Sequence, residues 1–437
     1  MANNKQDKIL NVPNKREQRQ TCLNVAERQA LRPKGSVPNK REQRNVPALR
    51  FPEFKGQWEN CRIKDFGKVV TGNTPPTANK ENYENGTKLW VSPSDLGDKK
   101  YIDNTKIKLS IKGYTQTRIL PKDSILVTCI GTIGKMGMAQ TELATNQQIN
   151  SIIVNHDFDK DFVYYSLMSR FPKYLSFIAI QVVPILSKSS FEKLENNYPS
   201  IKEQRKIGKF LDLIDARIAT QRKIIEKLES LIKGLNNTLY KQYGNGIKTS
   251  FAELGYSYSG LTGKTANDFG TGKPFITYLN VYSNNIIDEN AYQYVRINNG
   301  EQQNVVKYGD VLFTLSSETP EEVGIGSVYL GETDVYLNSF CFGIHIENKQ
   351  LAYSPYLSYF VSSTPFRKFI YPFAQGSTRF NLYKADFERA AIMLPSLDKQ
   401  KRIYAVLSRI TMKIEIEKST LKQYVVQKQY LLQRMFI

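Results

Sequence analysis

Two stretches of this chain imitate phosphate-binding loops. Gly260-Leu261-Thr262-Gly263-Lys264-Thr265 ends as a Walker A loop does, with a lysine for phosphate and a hydroxyl for magnesium. The first glycine of such a loop belongs where Tyr258 stands, so the required turn cannot form. Gly270-Thr271-Gly272-Lys273 runs into Pro274, which has no hydroxyl for the metal. Both read as ordinary glycine-rich loops. The only histidines, His156 and His345, fall in or beside β-rich segments with no partner at metal-ligand spacing. They are expected to be satisfied structural imidazoles. A Ser-His-Asp triad stays open, with no nucleophile elbow to support it. Cys22, Cys61, Cys129 and Cys341 are scattered and read as free thiols. There is no Asn-Pro-Pro-aromatic or Asp-Pro-Pro-aromatic motif of amino-methyltransferases, and Glu53-Phe54-Lys55 lacks the upstream Pro-Asp of a nuclease core. The catalytic signals fail together. The expectation is a chain that is not itself an enzyme and holds no metal or cofactor.

What remains suits contact with DNA. Thr128 to Lys135, which includes Thr132, is a glycine-punctuated loop that lets backbone approach a ligand closely. Asn146, Gln147 and Gln148 carry amides able to pair with an adenine edge. Ser187-Lys188-Ser189, Ser316-Ser317, and Ser377 with Arg379, Asn381 and Lys384 are polar turns that can donate to phosphate or to bases. Polar loops are usually just solvated. The better evidence is that Lys188 and Lys384 occupy equivalent places in a repeat.

The elements that must position these loops come in pairs. From Pro199 to Tyr243 apolar residues recur every seven positions. Leu211, Ile218, Ile225, Ile232 and Leu239 form one set; Ile214, Leu228 and Leu235 form the other, with Gln221 its polar member. That 3.5-residue period predicts a coiled-coil seam. Ser200 is the expected N-cap, with Glu203 completing a capping box, and Gly244 and Gly246 the stop. Displaced by 196 residues, Leu394-Pro395-Ser396-Leu397 repeats Tyr198-Pro199-Ser200-Ile201. The seam returns as Leu407, Ile414 and Leu421 with Ile410, Tyr424 and Leu431, interrupted by Glu417 and Lys428. Two such helices should pack on each other; a partner helix is the other outcome.

The segments between also repeat. Leu89-Trp90-Val91, Ile125 to Thr128 and Ile149 to Val154 are β-rich, and Phe162 to Phe177 is helix-like. Gly67 to Gly72, Lys88 to Ser92, Asp123 to Thr128 and Leu186 to Phe191 have counterparts at Gly255 to Gly260, Lys273 to Thr277, Gly309 to Thr314 and Leu382 to Phe387. The fold class expected is α/β (α+β), two domains in tandem separated by long helices.

A length of 437 residues allows two or three domains, and 41% hydrophobic content is enough for their cores. The formal charge of +20 points to a polyanion partner. It sits mainly in residues 1–50 (+8), 201–243 (+5) and 398–437 (+6); residues 244–397 carry −3. No apolar run reaches a membrane span and the N-terminus is polar, so a cytoplasmic protein is expected. Residues 1–44 read as a basic tail holding a direct repeat, Val12 to Arg19 returning as Val37 to Arg44. It echoes Pro199 to Arg205; a disordered arm is favoured over a docking segment.

At this point the chain from Asn45 to Ile437 resembles the specificity subunits of type I restriction–modification systems. Pro199-Ser200-Ile201-Lys202-Glu203-Gln204-Arg205 and its twin from Pro395 to Lys401, each opening a heptad helix, carry the resemblance. Leu186-Ser187-Lys188-Ser189 with Phe191, and Gly131-Thr132-Ile133-Gly134, also look like family motifs. The resemblance implies target recognition domains at 45–198 and 244–394 and spacer helices at 199–243 and 395–437. It implies that each domain reads one half of a split site in double-stranded DNA. It implies an antiparallel helix pair that holds the domains apart, on the order of 12 base pairs between half-site centres for a seam of about 42 Å. Two methyltransferase subunits would dock here and motor–nuclease subunits would join. S-adenosylmethionine, ATP and magnesium would then sit on those partners, in the bacterial cytoplasm and at the nucleoid. Two rivals stay open: a DNA methyltransferase or nuclease with unrecognised motifs, and a nonspecific DNA-binding coiled-coil scaffold.

Overall fold

The computed structural model describes residues 45–97, 99–176, 184–243 and 246–437. The tail repeat and the expected helix stop at Gly244 lie outside the described residues. The chain divides into two compact units. One runs up to Gly208 and takes in Leu432–Ile437; the other is Lys209–Leu431.

In the first unit the strands are β1 (Glu59–Arg62), β2 (Gly67–Thr71), β3 (Lys88–Val91), β4 (Tyr101–Ile102), β5 (Ile107–Leu109), β6 (Ile125–Thr128), β7 (Met136–Ala139), β8 (Ala144–Thr145), β9 (Ile149–Val154) and, after two helices, β10 (Glu195–Tyr198). The main sheet has the order β2-β9-β6-β7-β4. Its central strand β6 is buried throughout, as a continuous Ile-Leu-Val run predicts for a strand covered on both faces. A second sheet, β5-β3-β8, pairs β3 with β8 in parallel, and β1 with β10 forms a ribbon. Helix α1 (Lys160–Leu175) starts two residues before the expected point, because the Asp159 carboxylate caps it by accepting from Phe162 N–H at 2.9 Å. Helix α2 (Lys188–Glu192) follows. Gly67 is required by close approach: a Cβ there would meet the Ile153 carbonyl oxygen at 2.0 Å.

The first turns of helix α3 (Ile201–Tyr243) belong to this unit. Gln204 is buried; its amide donates to the Pro199 carbonyl at 2.9 Å and accepts from Asp159 N–H at 3.0 Å. Glu203 does not complete a capping box. It is only 1% exposed, and its two carboxylate oxygens take Arg50 Nε and Nη2 at 2.8 and 2.7 Å. Charge pairing outweighs the cap, since a buried carboxylate needs a fixed cation. Phe436, at the other end of the chain, packs its ring 5.6 Å from Phe162 and 6.1 Å from Trp58.

The second unit repeats the plan with β11 (Ile247–Thr249), β12 (Gly255–Ser259), β13 (Phe269–Ile276), β14 (Gln293–Val295), β15 (Val311–Thr314), β16 (Ser316–Ser317), β17 (Gly326–Val328), β18 (Tyr336–Leu337) and β19 (Cys341–Ile346). Helices α4 (Ser354–Phe360) and α5 (Thr364–Ile370), β20 (Ala374–Gln375), β21 (Phe380–Leu382), helix α6 (Lys384–Arg389), β22 (Ile392–Leu394) and helix α7 (Leu397–Met435) complete it. The order β12-β19-β15-β17 answers β2-β9-β6-β7, and β14-β13-β18 answers β5-β3-β8, again with one parallel pair. Ribbon β11–β22 answers β1–β10. The sheet β16-β21-β20 is extra. Phe251, Phe313, Phe342, Phe366 and Phe387 fill the core, with Phe313 and Phe387 edge to face at 5.2 Å. Gln400 is buried like Gln204. It donates to the Pro395 carbonyl at 2.8 Å and accepts from Tyr353 N–H at 2.8 Å.

Within this unit α3 and α7 pair antiparallel. Asp215 meets Lys428 at 2.6 Å, the Arg217 guanidinium lies over the Tyr424 ring at 5.1 Å, and Gln221 bonds to the backbone carbonyl and carboxylate of Glu417. Leu211, Ile218, Ile225, Leu407, Ile414 and Leu431 are buried. Ile214, Leu228, Ile232, Ile410, Leu421 and Tyr424 are half-buried. The three polar interruptions of the seam thus have partners: Gln221 with Glu417, and Lys428 with Asp215. No helix among the described residues is long and apolar enough to cross a membrane.

Candidate nucleic-acid interface

In the first unit the β6–β7 hairpin is shut by Thr128. Its N–H donates to the Lys135 carbonyl at 2.9 Å, and its hydroxyl accepts from Lys135 N–H at 2.9 Å. Gly134 donates to the Thr128 carbonyl at 3.0 Å and needs its positive φ of 93° there. The loop tip is stitched to two other segments. Gly131 N–H donates to the Pro184 carbonyl at 3.0 Å, Leu186 N–H to the Cys129 carbonyl at 2.8 Å, and Cys129 N–H to the Gln148 carbonyl at 2.7 Å. These bonds gather Thr132, Gln148 and the turn Ser187-Lys188-Ser189. Ser187 caps α2 by accepting from Ser190 N–H at 3.1 Å, which leaves Lys188 and Ser189 exposed on its first turn. Lys188 Nζ lies 3.6 Å from Glu192.

Not every expected amide faces outward. Asn146 is buried, donating to Gln148 Oε1 at 3.1 Å and accepting from Gln148 N–H at 3.1 Å. That internal turn occupies the amide expected to meet a base. Gln147 is exposed and accepts from the Thr74 hydroxyl.

The second unit repeats the hairpin lock. Thr314 N–H donates to the Ile325 carbonyl at 3.0 Å, its hydroxyl accepts from Ile325 N–H at 3.0 Å, and Gly324 donates back at 3.2 Å with φ of 64°. Between lock and glycine lie nine residues, 315–323, where the first unit has five, 129–133. The longer loop carries β16, whose Ser316 and Ser317 pair with Asn381 and Phe380. So Ser316, Ser317, Arg379, Asn381 and, one turn on, Lys384 converge on one small sheet. Ser377 lies in the exposed β20–β21 turn. Ser316 and Ser317 are buried and form the floor: Ser317 donates to Glu322 at 3.0 Å. Lys384 Nζ lies 3.6 Å from Glu388 and 5.1 Å over the Phe342 ring, reproducing the pairing of Lys188 with Glu192 at a displacement of 196.

Beside this sheet is a cleft of about 530 Å³ lined by Tyr278, Leu279, Tyr282, Glu318, Glu322, Phe340 and Arg379 with the two serines. Thr378 lines it too, and of all these residues the sequence singles out Ser316, Ser317, Thr378 and Arg379. The difference in loop length between the repeats was the available signal for the rest. Glu322 is held below the ordinary carboxylate range by hydrogen bonds from Tyr282 and Ser317, which burial opposes.

The two imitation phosphate loops have structural uses. Lys264 has a side chain only 5% exposed, fixed to Glu301 at 2.5 Å and to the Arg296 carbonyl at 2.6 Å. Gly270 and Gly272 shape a bulge in β13. His345 Nδ1 lies 2.6 Å from fully buried Asp310, a structural pair. His156 departs from expectation: its side chain is 94% exposed, in a turn just past β9 beside Asp157. Among the described residues no group of three His, Cys, Asp or Glu side chains could hold a metal ion.

The family model for the type I restriction modification DNA specificity domain matches residues 55–230 and 259–426. The chain is 33% identical over 180 residues to the type I restriction enzyme MjaIX specificity subunit of Methanocaldococcus jannaschii, covering 40% of this chain and 41% of that one. It is 35% identical over 148 residues to the HindI specificity subunit of Haemophilus influenzae, covering 33% and 32%. The matched stretch therefore spans less than half the length of either relative. Among solved structures, the S subunit of a type I system from M. genitalium superimposes with a TM-score of 0.52 at 14% identity, over 90% of this chain and 99% of that one. A chain from a structural study of type I complex assembly gives 0.55 at 16%, over 87% and 97%. At those identities the likeness is one of fold. With the family model matching both repeats, the chain belongs to the type I restriction–modification DNA specificity family.

Proposed function

We propose that this chain is the DNA-specificity subunit of a type I restriction–modification complex and does no chemistry of its own. Each unit reads one half of a bipartite site in double-stranded DNA. One observation carries this reading. The same hairpin lock and the same lysine recur in both units, at Thr128 and Lys188 and at Thr314 and Lys384, while the loops they present differ in length and charge. A shared frame with divergent loops suits two readings of different sequence.

Methylation and cleavage then fall to partners: two methyltransferase subunits, and motor–nuclease subunits that bring ATP and magnesium. S-adenosylmethionine belongs to the methyltransferases. Met412 and Ile416, and fourteen residues on Val426 and Tyr430, form two exposed apolar pairs on α7, with the polar Ser419 and Gln423 between them. We assign these two pairs to contact with the methyltransferase subunit, because they share the seven-residue period of α7 but lie off the seam that pairs it with α3. The setting is the bacterial cytoplasm, at the nucleoid. The test is methylation by the complex and by the chain alone. The complex should methylate a split motif, and the purified chain with S-adenosylmethionine and DNA should not turn over. Turnover by the chain alone would reject the proposal.

A further inference from the structure

We propose that the cleft of the second unit recognises a guanine–cytosine pair through Arg379 and Glu318, an inference that rests on the specificity-subunit reading above. Arg379 stands exposed at the end of the β20–β21 turn, its guanidinium 5.7 Å over the ring of Phe340. Among the described residues it makes no ion pair. Phe340 is itself 54% exposed, so the guanidinium over its ring is open to solvent and to a ligand in the cleft. A cation–π contact of this kind restrains the guanidinium near the ring and leaves its N–H groups available to a bidentate acceptor.

Two acceptors compete for such an edge, phosphate and guanine. The same cleft holds Glu318 and Glu322, whose charges repel phosphate. Glu322 is already engaged, accepting from the Tyr282 hydroxyl at 2.7 Å and from Ser317 at 3.0 Å. Glu318 is exposed and available. In the major groove a guanine–cytosine pair shows O6 and N7 acceptors beside an N4 amino donor. An arginine and a free carboxylate in one cleft complement that edge and no other base pair as well. The first unit cannot do this at the equivalent loop, where Cys129-Ile130-Gly131-Thr132-Ile133 contains no carboxylate.

The experiment uses the complex assembled with its methyltransferase subunits and a DNA library randomised in both half-sites. The wild type should require a guanine–cytosine pair at one position of the half-site read by the second unit. Arg379→Ala should lower that preference by about tenfold or more at that position only. Glu318→Gln, a second surface change, should weaken preference for the same pair. Thermal unfolding of each variant checks that both fold. If Arg379→Ala lowers methylation equally for all sequences, it contacts phosphate and the inference falls. A wild-type half-site without an obligatory guanine–cytosine pair also overturns it. A wild-type complex with no sequence preference would sink the specificity-subunit reading itself, and this inference with it. An intact wild-type motif left unchanged by Arg379→Ala sinks this inference alone.

Discussion

Asp215 and Lys428 face each other across the antiparallel helix pair at 2.6 Å, with side chains 17% and 16% exposed. Lys428 breaks the apolar seam of its own helix, and the partner explains the break: a charge in a seam fixes register at some expense of stability. Lys428→Ala leaves the Asp215 carboxylate half-buried without that cation. It should cost on the order of 1–3 kcal/mol, between the exposed and the fully buried cases. Urea unfolding measures this. The exchanged pair Asp215→Lys with Lys428→Asp should recover most of the loss.

Gln204 ties the first turns of α3 to the first unit, and Gln400 those of α7 to the second. Replacing Gln204 by alanine strands the buried Pro199 carbonyl and the half-buried Asp159 N–H. A cost of about 1–3 kcal/mol is expected for such orphaned groups. Hydrogen exchange should accelerate around Asp159 in Gln204→Ala and around Tyr353 in Gln400→Ala. Unchanged exchange at both places would show that the bonds do not anchor the helices.

Lys188→Ala and Lys384→Ala should each weaken DNA binding by the assembled complex across all sequences. The slope of affinity against salt should flatten by about one unit for each phosphate that is no longer neutralised. Their glutamates, Glu192 and Glu388, lie 3.6 Å away in i,i+4 pairs of partly exposed side chains, weak enough for a phosphate to compete with. An unchanged slope for Lys384→Ala would remove it from the interface.

Lys264 should matter to stability and not to nucleotide. Its hydrogen bond is the main reason the Glu301 carboxyl is held down to about 2 from an ordinary 4.5, with the Asn298 N–H and Gln303 next. A depressed carboxyl stabilises the fold fully above the ordinary value, and that contribution is lost as pH falls through the depressed one. Lys264→Met should therefore be less stable than wild type at neutral pH. The gap should narrow between pH 4.5 and about 2. A gap that does not change with pH would contradict the assignment.

The repeat was legible because its signals are local: a proline–serine start, a heptad, and a buried run such as Ile125 to Val127. What the sequence hid depends on distance. Glu203 satisfies the spacing of a capping box, but its partner is Arg50, 153 residues away. Ser316-Ser317 is too short and polar to read as a strand, and becomes one only by pairing with Phe380 and Asn381. Asn146 looked like a base reader by type, yet the turn folds its amide onto Gln148. Among the candidate residues, those that the structure gathers in the second unit come together through β16 and β21, which no local pattern announced.

The most direct measurement exchanges one unit's recognition elements and reads the methylated motif. Residues 244–394 would be replaced by the corresponding segment of a relative, in the complete chain with its partner subunits, and the methylome sequenced. The account predicts that one half of the split motif changes and the other stays. A folded chimera in which both halves change, or neither does, would contradict it.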